Sequence, residues 1–182
     1  MKDTLKDIGG IAFDMIITIF AAIIALNIIG SVLVSSAMGA ERPLTKEEEV
    51  VAITLMGEAR GEGEMGLYAV GCVIQKRAQE RNLTLAQVCL QSKINKNGVR
   101  VWQFSCWKDK PYIETMKRLL KADTKQAKYS KRLARAMCAG GMLAQHFTGN
   151  ANHYHASYVT PYWSKGVKPT KRIGKHIFYK LP

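Results

Sequence analysis

Three glutamates, Glu58, Glu62 and Glu64, stand among glycines in "TLMGEARGEGEMGLYAV" (Thr54 to Val70), in a chain where 27 basic residues outnumber 14 acidic ones. A carboxylic acid on an apolar face, bordered by glycines, suits the work of a glycosidase. Removal from water raises the pKa of such a group, so that it keeps a proton near neutral pH to give to a glycosidic oxygen. Neighbouring glycines let a bulky sugar chain approach the backbone. The same residues also suit a structural role, a helix-end glutamate paired with Arg60 or Arg77. The pattern alone leaves both open.

The elements that must position these acids can be read from spacing. Thr45 followed by Glu48 is capping-box spacing, with acids in the first turn where the helix dipole favours them. On the helix that follows, Val51, Thr54, Leu55 and Glu58 fall at i, i+3, i+4 and i+7, so Glu58 projects from the apolar face. Gly61 and Gly63 end that helix. "EMGLYAVGCVIQKRAQER" is a second one, with Leu67, Val70, Gly71, Ile74 and Ala78 as its buried stripe. Thr84 caps a short helical turn through Val88, and "SKINKNGVRVWQFSCW" (Ser92 to Trp107) has Asn-Gly turn chemistry with alternation expected of a short strand. A third helix follows Asp109, and a fourth, rich in Lys and Arg, follows Thr124. The tail from Ala151 is aromatic-rich and broken by Pro161, Gly166, Pro169 and Gly174, which predicts extended or hairpin structure. The expected class is mainly α (α+β), with a small late β element.

Length and charge set the organisation. A chain of 182 residues holds one ordinary domain plus an appendage. From Met15 to Ala40 no residue is charged, a run longer than the roughly 20 residues that span a bilayer. It also exceeds the roughly 7 to 15 apolar residues of a cleavable signal peptide. Residues 1–40 are therefore expected to be an uncleaved signal anchor or transmembrane helix, 41–44 a linker and 45–182 the catalytic domain. Ser35 with Ala37, or Ala37 with Gly39, offers the alternative of cleavage. The anchor region carries two lysines against three aspartates, −1, and the remainder 25 basic against 11 acidic residues, +14. Such a domain seeks a polyanion. An anchored one meets a membrane surface or a cell wall, and no nucleic-acid partner is expected.

Seven segments together resemble one family: "GEARGE" (Gly57 to Glu62), "AVGCVIQKR" (Ala69 to Arg77), "TLAQVC" (Thr84 to Cys89), "QFSCW" (Gln103 to Trp107), "ANHYHA" (Ala151 to Ala156), "PYW" (Pro161 to Trp163) and "IGKHIFYK" (Ile173 to Lys180). Their order and spacing are similar to those of the SleB-type cell-wall hydrolases, which include the catalytic domains of spore-cortex-lytic enzymes. The resemblance covers residues 45 to 180. It implies a lysozyme-like, lytic-transglycosylase-like fold, no cofactor, and cleavage of the peptidoglycan glycan strand between N-acetylmuramic acid and N-acetylglucosamine. Glu58 matches the family's helix-end catalytic acid, and Glu62 is the second choice. Glu64 stands where the family's usual continuation contains proline.

The implied lytic-transglycosylase chemistry needs one carboxyl, acid first and base second, and closes the product to a 1,6-anhydro sugar. A hydrolytic muramidase would use a second carboxylate, and only Glu62 is near. Gln103 and Ser105 offer amide and hydroxyl groups to the substrate; Tyr154, Tyr158, Trp163 and Tyr179 offer faces for sugar rings. Phe104, Trp107 and Phe178 are expected in the core. His153 and His155 alternate on an extended segment, which permits a zinc reading, but no third ligand accompanies them and no metal is expected. Cys89 and Cys106, inside two of the motifs, are expected to form a disulfide. An anchor without wall-binding repeats suggests the layout of a signal-anchored phage endolysin, held on the inner membrane with its catalytic domain outside the cytoplasm. The rival class is a non-catalytic, membrane-tethered wall-binding protein.

Overall fold

The computed structural model describes residues 42–182, and the expected anchor lies outside them. Residues 44–182 form a compact unit. Among the described residues no helix is long and apolar enough to cross a membrane.

Helix α1 (Lys46–Ala59) begins with the expected capping box: Glu48 N–H donates to Thr45 Oγ1 at 3.3 Å, and Thr45 N–H donates to Glu48 Oε2 at 2.8 Å. Val51, Ala52, Ile53, Thr54, Leu55, Met56 and Ala59 are all buried, so α1 is enclosed on nearly every side and forms the axis of the domain. A 3₁₀ turn, Arg60–Glu62, leads into α2 (Gly63–Arg81), which ends at Asn82 in the left-handed conformation. Thr84 and Gln87 form a second capping box on α3 (Leu85–Cys89). Two amphipathic helices, α4 (Lys110–Lys121) and α5 (Lys125–Cys138), cover α1. The main core is made by α1, the inner side of α2 and residues such as Val88, Phe104, Met116 and Leu133 from the surrounding elements.

Between α3 and α4 the chain makes an antiparallel hairpin, β1 (Ser92–Ile94) with β2 (Arg100–Trp102), and a 3₁₀ turn at Ser105–Trp107. The Asn95 side chain receives N–H bonds from Asn97 and Val99, both 2.9 Å, which closes the hairpin turn locally. The late β element is a three-stranded antiparallel sheet ordered β3-β5-β4, from β3 (His153–Ala156), β4 (Lys171–Ile173) and β5 (His176–Tyr179). Tyr154 lies opposite Phe178, and Ile173 opposite His176. Ala151, Ile173 and Phe178 pack on Ala69 and Val73 of α2 in a second, smaller core. The β4–β5 connection is a two-residue turn in which Gly174 has φ +55°, a conformation that suits glycine.

The expected Cys89–Cys106 disulfide is not formed: all four cysteines are free thiols. The loop it was to restrain is already a hairpin with its own ladder, so no staple is required there. Both sulfurs are buried in the main core, and burial pushes the Cys89 thiol up to about 12, keeping it protonated.

Candidate active site

Glu58 sits one residue before the end of α1, half-buried, on the face that the apolar spacing requires. Two segments distant in sequence reach its carboxylate. Oε1 accepts the backbone N–H of Cys106 at 3.2 Å and faces Ser105 Oγ at 3.5 Å; Oε2 accepts the Tyr154 hydroxyl at 3.0 Å. Neither Arg60 nor Arg77 pairs with it. Arg60 donates to the Tyr112 hydroxyl, which itself donates to Gly57 O, and Arg77 Nε donates to Asn152 O at 2.7 Å.

The approach of Cys106 depends on Gly57. A Cβ at that position would lie 2.4 Å from the Cys106 Cβ, so a side chain there would push the Ser105–Trp107 turn away from Glu58. The turn is anchored from its far end by Trp107, whose indole N–H donates to Thr54 Oγ1 at 3.0 Å. Tyr154 is fixed by β-sheet register and by its ring neighbours His176 and Phe178, at 5.0 and 5.6 Å. Burial, then the neighbouring Glu58 carboxylate, holds the Tyr154 phenol well above its ordinary pKa, so it remains a hydrogen-bond donor.

Glu62 has another occupation. Its Oε2 accepts the Lys175 N–H at 2.8 Å, across 113 positions of sequence, and so fastens the β4–β5 turn to the 3₁₀ turn between α1 and α2. A Cβ on Gly174 would fall 2.1 Å from that oxygen, and one on Gly66 would fall 2.2 Å from the Glu62 Cβ. The two glycines therefore make room for the Glu62 side chain and its contact. Glu64, in the first turn of α2, is exposed.

Of the groove residues expected from sequence, Ser105 and Tyr154 come to Glu58. Gln103 is exposed two residues before Ser105 and borders a cavity of about 380 Å³ with Arg81, Gln91, Ser92, Lys93 and His153. The remaining three aromatics do not join Glu58. Side chains alternate across a strand, so His153 and His155 lie on the face of β3 opposite Tyr154. There His155 stacks on Tyr179 at 5.2 Å, and Trp163 meets His153, His155 and Tyr179 at 5.3–5.6 Å. Tyr179 is buried within this cluster; Tyr158, just beyond β3, is 81 % exposed. Phe104 and Phe178 are in the core as expected.

The histidine pair is also taken up by this cluster. His155 Nε2 meets the Tyr179 hydroxyl at 3.0 Å and its Nδ1 meets Ala156 O at 2.9 Å, while His153 Nδ1 meets Asn152 Oδ1. Burial, followed by the charges of Arg77 and Arg81, pushes His153 down to about 4, so it is neutral at pH 7. Among the described residues no group of three or more His, Cys, Asp or Glu side chains gathers as metal ligands.

Two further residues lie near Glu58, of which the sequence points only to Arg77, as a possible ion-pair partner. His176 is 7 % exposed and packed on Tyr154; burial pulls its pKa down, against the opposing charges of Glu62 and Glu58. Arg77, 5 % exposed, places its guanidinium 5.3 Å from the Phe104 ring, behind the Glu58–Tyr154 pair. Both lie within quoted motifs, but nothing in the local pattern marks His176 as packing on Tyr154, because the sheet register that brings it there is long-range.

Residues 61–179 match the sequence model of a family described as cell wall hydrolase. That span takes in Glu62, Tyr154 and the sheet, and begins three residues beyond Glu58. Two solved structures share the fold at 24 % identity. The catalytic domain of the germination-specific lytic transglycosylase SleB from Bacillus anthracis matches with a TM-score of 0.52, over 78 % of this chain and 100 % of that one. The catalytic domain of the Bacillus cereus SleB protein matches with a TM-score of 0.51, over 78 % and 95 %. No curated protein sequence matches the chain.

Proposed function

The chain belongs to the cell wall hydrolase family, and on that premise we propose that it is an enzyme that cuts the glycan strand of peptidoglycan, with Glu58 as its single working carboxyl. The observation that carries this reading is the different company of the two motif glutamates. Glu58 is gathered at a half-open position with Ser105 and Tyr154, two hydroxyl side chains from distant segments, whereas Glu62 meets the backbone of the β4–β5 turn through the Lys175 N–H.

In the proposed reaction the protonated Glu58 carboxyl gives its proton to the oxygen between N-acetylmuramic acid and N-acetylglucosamine. The bond from the muramic C1 to that oxygen breaks and leaves the disaccharide's second sugar with a hydroxyl. The sugar's own acetamido group stabilises the positive charge at C1. Glu58, now a carboxylate, takes the proton of the muramic C6 hydroxyl, and that oxygen bonds to C1 to give the 1,6-anhydro product. Cys106 N–H and the Tyr154 hydroxyl hold the carboxylate in place through both steps, and water is not consumed.

The N-terminal run without charge, Met15 to Ala40, supports a tether that keeps the domain on the wall side of the membrane, and the +14 charge of the remainder supports attraction to an anionic wall. A phage endolysin exported in this way has the same layout. Purified sacculi digested with the full-length chain and analysed by mass spectrometry test the bond. Glycan fragments ending in muramic acid, with stem peptides still attached, are expected. Release of free stem peptides from uncut glycan would overturn the proposal.

A further inference from the structure

The domain has a cavity of about 500 Å³, lined by Glu62 and not by Glu58, that the reaction above does not use. One wall is the consecutive run Lys171, Arg172, Ile173 and Gly174; Met65 of α2 and Phe147 face it, with His146 beside them. The run is strand β4 and the start of its turn, and β4 is the outer strand of the sheet, paired only with β5. A cavity lined by an outer strand can take up an extended peptide that adds to the sheet, the unpaired edge supplying main-chain hydrogen bonds.

The charge of the wall selects the peptide. Lys171 and Arg172 are exposed and make no ion pair among the described residues. The one acid in the lining, Glu62, already accepts the Lys175 N–H. Met65, 62 % exposed, and Phe147 add apolar surface. The site therefore suits a short extended chain that carries carboxylates and small apolar side chains. Glu62, one of the residues lining it, follows Glu58 by four positions in the chain.

We propose that this cavity binds the carboxylate-bearing stem peptide that branches from the muramic sugar, docked along the free edge of β4 with its carboxylates against Lys171 and Arg172. This rests on the proposed function, since it places the branch of the same substrate whose glycan is cut at Glu58. The cavity makes the protein a reader of peptide-bearing strands: occupation of the edge fixes which muramic sugar lies at Glu58.

The test uses the full-length chain and its Lys171→Gln/Arg172→Gln double variant on two substrates, glycan strands with intact stem peptides and the same strands stripped of peptide. The double variant is expected to lose about tenfold in kcat/KM on peptide-bearing strands, mainly through KM, and to match the unaltered chain on stripped strands. Equal losses on both substrates, or none on either, would overturn the inference. Calorimetric titration with a free stem tetrapeptide reads the site without turnover: binding is expected to the unaltered chain, to weaken about tenfold in the double variant, and to be lost when the peptide carboxylates are amidated. Equal binding of the amidated peptide, or binding of inorganic phosphate with none of the tetrapeptide, overturns it. If the unaltered chain cuts neither substrate, the glycan-cleaving assignment fails, while the titration still decides this one.

Discussion

Glu58 and Glu62 are the same residue type one turn apart, yet the fold treats them differently. Glu58 is met by a backbone N–H from the Ser105–Trp107 turn and by a hydroxyl from β3, and sits beside Ser105 at a half-open position. Glu62 is locked to the backbone of the β4–β5 turn, with Gly66 and Gly174 cleared around it. Both accept a backbone N–H, but Glu58 is also gathered with the hydroxyls of Ser105 and Tyr154, whereas the described contact of Glu62 only joins two turns of the chain. The contrast is set by segments about 50 to 110 residues away, not by the motif that contains both acids.

The largest effect that this contrast predicts is at Glu58. Glu58→Gln keeps the side-chain volume and removes the proton donor, so turnover on purified peptidoglycan should fall by about 10³-fold or more, with thermal unfolding little changed. Activity near that of the unaltered chain would remove the distinction between the two glutamates.

A smaller loss is expected at Gly57→Ala. The added methyl would meet the Cys106 Cβ at 2.4 Å, so the turn must shift away from Glu58. Activity should fall by roughly 10- to 100-fold and stability by about 1–3 kcal/mol, the usual range for overpacking. Full activity with a lowered melting temperature would show that the Cys106 N–H does not matter to the reaction.

Tyr154→Phe removes one of the donors to Glu58 and keeps the ring against His176 and Phe178. Loss of one such hydrogen bond is worth on the order of 1–2 kcal/mol, so kcat should drop about tenfold while KM stays close to its original value. An effect confined to KM would instead make Tyr154 a substrate contact.

The smallest effect on catalysis should be at Glu62→Gln. The amide oxygen still accepts the Lys175 N–H, so turnover should stay within about threefold, while chemical denaturation should register a loss of roughly 1 kcal/mol from replacing a charged acceptor with a neutral one. A dead but folded variant would exchange the roles of the two acids.

Much of this asymmetry was half-legible in the sequence. The i, i+3, i+4, i+7 spacing of Val51, Thr54, Leu55 and Glu58 put Glu58 on the apolar side, and the first capping box, Thr45-x-x-Glu48, and the cap at Thr84 were visible, because helix periodicity and caps are local. The helices and the late β element followed from the same kind of signal. What was not legible depends on pairing between distant segments. No local pattern assigns Glu62 to Lys175, and none distinguishes Tyr154, which meets Glu58, from Tyr179 and Trp163, which sit on the opposite face of the sheet; one step of strand alternation separates these fates. The expected Cys89–Cys106 bridge failed for a related reason: motif membership brought both residues into the core, and there they are buried as thiols.

The central claim, one carboxyl and a nucleophile supplied by the sugar itself, is tested most directly by digestion of peptidoglycan in heavy-oxygen water followed by mass spectrometry of the new muramyl ends. The single-carboxyl account predicts ends that carry no label and are about one water lighter than a hydrolysis product, because the C6 hydroxyl closes on C1. Heavy oxygen in every new muramyl end would contradict it: water would be the nucleophile, a second carboxylate would be required, and Glu62 could no longer be only a fastener.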